Sequence, residues 1–383
     1  MNYKSELANY LKVNESHITL FWKGRVALYA LLKSFGINKG DEVILPAFTC
    51  VVVPNAILYC EAQPVYVDIN PMTLNCDPEA IRKKITSKTK FIIAQNTFGL
   101  SAELDSILRI AKENNIIVIE DCTHGIGGFY NGVKNGTIAD ASFFSSQWNK
   151  PFSTGIGGMA YVRNHAIAEK MNTFEANAIN PSLMEVFQLS VLLKVRAIMK
   201  APIIYWPMIK LYRFLSKKNL IVGSSQGNEL AKPEMHEGFL KKMSSVQMKK
   251  GIEELKKLDQ YVIRRKAIAK QYNDFLSKLG LNIYKNENHA YLKYPLLVKD
   301  RQHFFEDAEK NNIELGDWFI SPIHPVIENL ILWHYKKGDY PNAEYISQHI
   351  VNLPTHNGLS QSDIQKILNF LMKNESSLLI NPN

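Results

Sequence analysis

A chain of 383 residues, 46% apolar and 21% charged, has the composition of an ordinary folded protein and enough length to bury a large core. This excludes a disordered, collagen-like or disulfide-stapled chain, and the net charge of +9 favours anionic partners without choosing among them. Four cysteines, Cys50, Cys60, Cys76 and Cys122, form no C-x-x-C pair and no zinc-like spacing, which points to a reducing compartment and no metal site. The polar N-terminus MNYKSELANYLKVNES lacks a signal-peptide core, and no apolar run reaches the length of a membrane span. The expectation is a soluble cytoplasmic protein.

Apolar residues at helical spacing predict a helix over 24–35, stopped by the glycines of GINKGDE. A strand follows at 42–46, a helix near 52–60, a strand at 64–69 and a helix at 77–85, which Asp77 starts. KFIIAQN (90–96) and NIIVIED (115–121) are continuous apolar runs, as in strands buried on both faces, and the helix LDSILRIAKEN lies between them. ASFFSS (141–146) and GMAYVRN (158–164) complete the series. Strands alternating with helices predict βαβ units and a mostly parallel sheet, whose ligands bind beyond the carboxyl ends of the strands.

From about 241 the pattern changes to one or two long amphipathic helices, short strands near 292–298, a helix after Asp300 and a last helix, SDIQKILNFLMK. The division expected is a large domain over 1–240 and a smaller α+β domain over 241–383. Between them, 172–235 is unusual. Its core, 183–218, carries seven Lys/Arg against one Glu, a net +6 among aromatic and aliphatic residues. One reading is a helical excursion packed on the body or on a second subunit. The other is an element lying on an anionic membrane at its inner face. Packing stands first, because amphipathic patterning is common in buried helices.

Asp121 ends a strand where several loops converge. It is either a turn aspartate or a carboxylate placed for a cationic ligand group. Lys150 lies between a buried strand and a glycine-rich turn, where desolvation and nearby positive charge would free a neutral amine to attack a carbonyl. Ser145 and the GIGG turn (155–158) offer donors for an anion. Gly24 and Arg25, opening a helix, add free N–H groups and a guanidinium, a seat for phosphate.

The motifs GRVAL, GDEVILPAFT, PVYVDI, QNTFG, VIEDCTHG, FFSSQWNKPFSTGIGG and VNLPTHNGLS, in this order and spacing, resemble the DegT/DnrJ-type sugar aminotransferases. The likeness is close over 24–164 and looser over 236–375. It implies a fold-type I aminotransferase: an α/β large domain with a mostly parallel central sheet flanked by helices, plus a smaller C-terminal α+β domain. It also implies pyridoxal 5'-phosphate as cofactor, with Lys150 binding it covalently and Asp121 pairing with the pyridine nitrogen. The same likeness puts His124 near the ring hydroxyl, Thr123 against the ring, and Ser145, Gly24 and Arg25 at the phosphate. His324, in SPIHP, falls at the substrate end of the cleft. His124 has an equal standing as an ordinary hydrogen-bonded histidine.

Four departures from the family pattern stand out. Arg25 replaces a threonine, Cys50 replaces an aromatic residue that stacks on the cofactor, and Leu240 replaces an asparagine reaching the partner subunit's phosphate. The stretch 172–235 is also longer than is usual. The reaction implied is amino transfer, from glutamate, to a nucleotide-linked keto-deoxy sugar used in surface polysaccharide or lipopolysaccharide synthesis, by a homodimer. The competitors are a sugar dehydratase on the same fold, which would carry histidine in place of Lys150, and a non-enzymatic or membrane-docked member. A nucleic-acid partner rests on net charge alone and has no supporting motif.

Overall fold

The computed structural model describes residues 2–199, 229–281, 286 and 288–379. Helix α1 (Tyr3–Leu11) leads to strand β1 (Ile18–Phe21) and helix α2 (Gly24–Ser34). Then come β2 (Glu42–Pro46), the short β3 (Thr49–Cys50), α3 (Val52–Leu58), β4 (Gln63–Val67) and α4 (Pro78–Lys84). They are followed by β5 (Thr89–Gln95), α5 (Leu104–Glu113), β6 (Ile117–Asp121), the hairpin β7 (Phe129–Tyr130) and β8 (Val133–Lys134), and β9 (Ala141–Ser145). Strand β10 (Gly158–Val162) and helices α6 (His165–Asn177) and α7 (Leu183–Met199) precede residue 200.

Seven strands make the main sheet, in the order β1-β10-β9-β6-β5-β2-β4. The pairs from β9 through β4 are parallel, and β10 and β1 add antiparallel at one edge. Strands in the middle are buried almost end to end, as their unbroken apolar sequences require when helices cover both faces. Gln95 lies beside Asp121, and Asp121 beside Phe143, so the carboxyl ends of β5, β6 and β9 open at one edge. This is where parallel sheets bind ligands. Architecture and sheet agree with the expectation from sequence.

Past residue 240, the long amphipathic stretch is two helices, α8 (Ser245–Leu255) and α9 (Leu258–Lys278), with the break at Lys256 and Lys257. A reciprocal cap between Ser244 and Gln247 starts α8, and the Gln247 amide also reaches the carbonyls of Trp22 and Ile156. Strand β11 (Tyr294–Leu297), α10 (Arg301–Lys310), β12 (Ile323–His324), α11 (Pro341–His349), β13 (Ile350–Leu353) and α12 (Gln361–Lys373) follow. β11 and β13 pair antiparallel, and Tyr272, Tyr294, Phe304 and Phe370 pack around them in a core of their own. β12 runs parallel to β3, placing His324 beside Cys50.

Helix α7 lies on the body. Leu189 and Leu193 pack with Trp22, Trp148 and Ile156, and Glu185 pairs with Lys241 at 2.5 Å. Leu183, Met184, Phe187 and Val191 are exposed. So the described part of the basic segment packs as a helical excursion, while 200–218 lies outside the described residues. No helix among the described residues is long and apolar enough to cross a membrane.

One close approach ties β10 to the start of α2. A Cβ built on Gly158 would sit 2.2 Å from the Lys23 carbonyl oxygen and 2.6 Å from the Gly24 nitrogen, so backbone would have to move. Gly158→Ala is expected to cost about 3 kcal/mol, the scale of forcing extra volume into a packed interior. Urea denaturation measures it; a loss well under 1 kcal/mol would mean the two backbones separate easily.

Candidate active site

Residue alternation along β6 separates two adjacent carboxylates. Glu120 is fully buried and accepts hydrogen bonds from the backbone N–H groups of Gly136 (2.8 Å), Ile138 (3.0 Å) and Ala139 (3.0 Å). It anchors the segment after β8. Asp121 points toward the loops beyond the strand and accepts from the Thr123 N–H at 2.9 Å. Burial raises its pKa, against the downward pull of the Thr123 hydrogen bonds and of the Lys150 charge.

Lys150 stands in the loop between β9 and β10. Burial lowers its pKa and Arg25 adds to that, while Cys50 and Asp121 oppose it. Its Nζ lies 4.8 Å from the centre of the Trp318 ring. The loop is held from two sides. Arg196, on α7, donates to the Trp148 carbonyl (2.9 Å) and lies over the Trp148 ring at 4.9 Å. Arg265, on α9, donates to the Pro151 carbonyl at 2.7 Å.

His124 is buried and stacked. Its ring is nearly parallel to Trp318 (5.0 Å, 9°) and to Phe98 (6.0 Å, 9°). The Phe98 N–H donates to His124 Nδ1 at 3.2 Å, so the neutral ring carries its proton on Nε2. Burial first, then Lys150, Lys293 and His324, hold its pKa well below the usual histidine value. Thr123 is half-buried beside it. His324 accepts from the Ile320 N–H at 3.3 Å, and burial brings its pKa down to about 4.

At the other end, the N-terminus of α2 has no side-chain cap. Gly24 faces Ser145: a Cβ there would lie 3.0 Å from Ser145 Cβ and 3.4 Å from its Oγ. The close approach of the Gly24 backbone to Ser145, the uncapped helix and the hydroxyl fit a phosphate. Arg25 is buried beside them, and its guanidinium is paired with the Glu229 carboxylate. That pair modifies the simple expectation of a phosphate-gripping arginine. The GIGG turn also has a different use from anion donation at Gly155, where a Cβ would fall 2.6 Å from Leu189 Cδ1 on α7.

The structure therefore gathers Asp121, Thr123, His124, Ser145, Lys150, Gly24, Arg25 and His324 around one edge of the sheet. Sequence reading missed Trp318, Lys293, Arg196, Arg265 and Glu229. Trp318 supplies an aromatic ring beside the amine, where Cys50 has none. The tryptophan in GDWF, just ahead of SPIHP, was the one local signal available for it.

The profile of the DegT/DnrJ/EryC1/StrS aminotransferase family matches residues 2–372. The chain belongs to this family. It is accordingly a pyridoxal-phosphate-dependent aminotransferase. An uncharacterized protein of Methanocaldococcus jannaschii is 32% identical over 90% of this chain and 82% of its own length. The GDP-perosamine synthase of Caulobacter vibrioides is 27% identical over 96% of this chain and 88% of its own. Among solved structures, NtdA of Bacillus subtilis, with bound PMP, superimposes with a TM-score of 0.72 at 23% identity, covering 96% and 76% of the two chains. That likeness shows the fold.

Two buried imidazoles and a half-buried one give this aminotransferase an acid-sensitive interior. His124 and His324 are joined by His289, which stacks on Tyr291 at 4.0 Å and whose pKa burial lowers to about 3. Each is neutral when folded and gains a proton on unfolding below a pH near 6.5. Their contribution is thus present above that value and lost as pH falls, at about 1.4 kcal/mol per unit for each. Urea midpoints at pH 7.5 and 5.0 are expected to differ, with the acid sample weaker by about 2 kcal/mol for each imidazole still neutral when folded. Equal midpoints would show that the imidazoles are protonated in the folded protein.

Proposed function

We propose that this aminotransferase moves an amino group, from glutamate, onto a nucleotide-linked keto-deoxy sugar, and that Lys150 and Asp121 carry the chemistry. The observation behind this reading is a half-buried lysine and a buried aspartate within electrostatic reach of one another, beside an uncapped helix end and the close Gly24–Ser145 approach. Gly24, Ser145 and the α2 N–H groups would hold the phosphate of pyridoxal phosphate, and Asp121 its ring nitrogen. When bound, the cofactor supplies an electron sink for charge built up on the carbon that loses its proton.

The protein's own residues do the rest. Asp121 stands where the ring nitrogen would need a carboxylate partner, and the Thr123 N–H and the Lys150 charge favour its ionised form against burial. The lowered pKa of Lys150 makes a neutral Nζ available, first to attack a carbonyl and later to carry a proton from one carbon to the next. His124 presents Nε2–H from a stacked, neutral ring. Trp318 takes the stacking place that Cys50 cannot fill. His324, packed beside Cys50, lines the substrate end. The GDP-perosamine synthases that align over nearly the whole chain support a nucleotide-linked sugar as acceptor. The family resemblance supports a homodimer and a place in surface-polysaccharide synthesis.

Borohydride reduction of the loaded protein, followed by peptide mass mapping, is expected to fix the cofactor on Lys150. Lys150→Ala should remove the adduct and cut turnover at least about 10³-fold, and Asp121→Ala should do the second without unfolding the chain. Turnover is read by mass spectrometry across a panel of nucleotide keto sugars with glutamate. An adduct on another lysine, Lys293 for instance, would overturn the assignment.

A further inference from the structure

Two cations close to Lys150, the half-buried Lys293 and the buried Arg265, have no part in that chemistry. Lys293, just before β11, brings its Nζ to 5.3 Å from the centre of the same Trp318 ring that Lys150 approaches. No carboxylate among the described residues forms an ion pair with it; Asp317 acts on it only at longer range. Arg265 is 6% exposed. Its Nη2 is committed to the Pro151 carbonyl, while Nη1 is buried with no hydrogen-bond partner. The half-buried Glu314 carboxylate is drawn toward its charged form by Arg196.

Lys293 thus faces two like charges, those of Arg265 and Lys150, beside the half-buried Trp318 ring. Burial, Arg265 and Lys150 together bring the pKa of Lys293 down to about 8, with Asp317 opposing. Nothing in the packing requires a charge at 293, since an apolar side chain would suit a position next to Trp318 better. Holding unpaired cations there is unfavourable until an anion arrives. Such an anion would meet a guanidinium N–H in fixed geometry from Arg265 and a movable ammonium from Lys293.

We infer that Lys293 and Arg265 form a seat for an anionic oxygen group of a substrate, lying one indole away from the reactive amine. The group is a carboxylate of the amino donor or a phosphate of the carried sugar; both present the same chemistry to these two cations. The inference rests on the reading of Lys150 as the reactive amine. It gives Trp318 a second use, as the wall that both amines face.

The test uses the cofactor-loaded protein and its Lys293→Met and Lys293→Arg variants, with glutarate and GDP as probes in isothermal titration calorimetry. Lys293→Met is expected to weaken glutarate or GDP at least tenfold and to leave the visible absorption of the loaded cofactor in place, with Lys293→Arg recovering most of the loss. A loss confined to glutarate identifies the seat with the donor carboxylate; one confined to GDP identifies it with the acceptor phosphate. Unchanged affinity for both probes in a loaded Lys293→Met protein overturns the seat. Lys293→Gln serves in its place if the methionine variant does not load. Absence of transamination by the wild type with every keto sugar tried would instead overturn the function proposed above, and these binding constants would still decide the seat.

Discussion

Taking Asp121 and Lys150 out of water disfavours the charged form of each, and neither burial is tolerable without the other nearby. Desolvation is the largest influence on both, and each is drawn back toward its charged form by the other. Burial thus raises the share of neutral amine, the form a nucleophile uses. Keeping it so requires that the strand end carrying Asp121 and the loop carrying Lys150 hold their separation with little freedom.

The surrounding structure supplies that restraint from several elements. Glu120 ties β6 to the segment after β8 through three backbone donors, so the strand end cannot twist without breaking them. On the other side, Arg196 and Arg265 hold the carbonyls of Trp148 and Pro151, which bracket Lys150 in sequence. These guanidiniums come from α7 and α9, helices far apart in the chain. A loop rich in glycine and serine is thereby fixed by contacts it does not make with itself.

Much of this was legible in sequence. Unbroken apolar strands and their helical connectors imply the parallel sheet, and Asp121 and Lys150 stand out once strand ends are taken as the binding edge. Residues whose role depends on distant pairing were not legible. Arg25 meets Glu229 across 204 positions. Arg265 reads as one basic residue among many on the outer face of an amphipathic helix, yet it is buried. Trp318 and Lys293 reach the cleft only because the second half of the chain folds back over the sheet edge. Periodicity reports which face of an element is apolar; it carries no information about which remote carbonyl a buried guanidinium will find.

The excess positive charge noted from composition acquires structure on the same argument. Arg196 comes from the stretch that looked least connected to catalysis, yet it rests on Trp148 two residues before Lys150. Leu189 of the same helix packs against Gly155, whose φ of 88° is what calls for glycine in this turn. Helix α7 is therefore scaffolding for the lysine loop, whatever its exposed apolar face meets. A change in how that face is covered would reach Lys150 through two side chains, Arg196 and Trp148, without touching the close approach of Gly24 to Ser145.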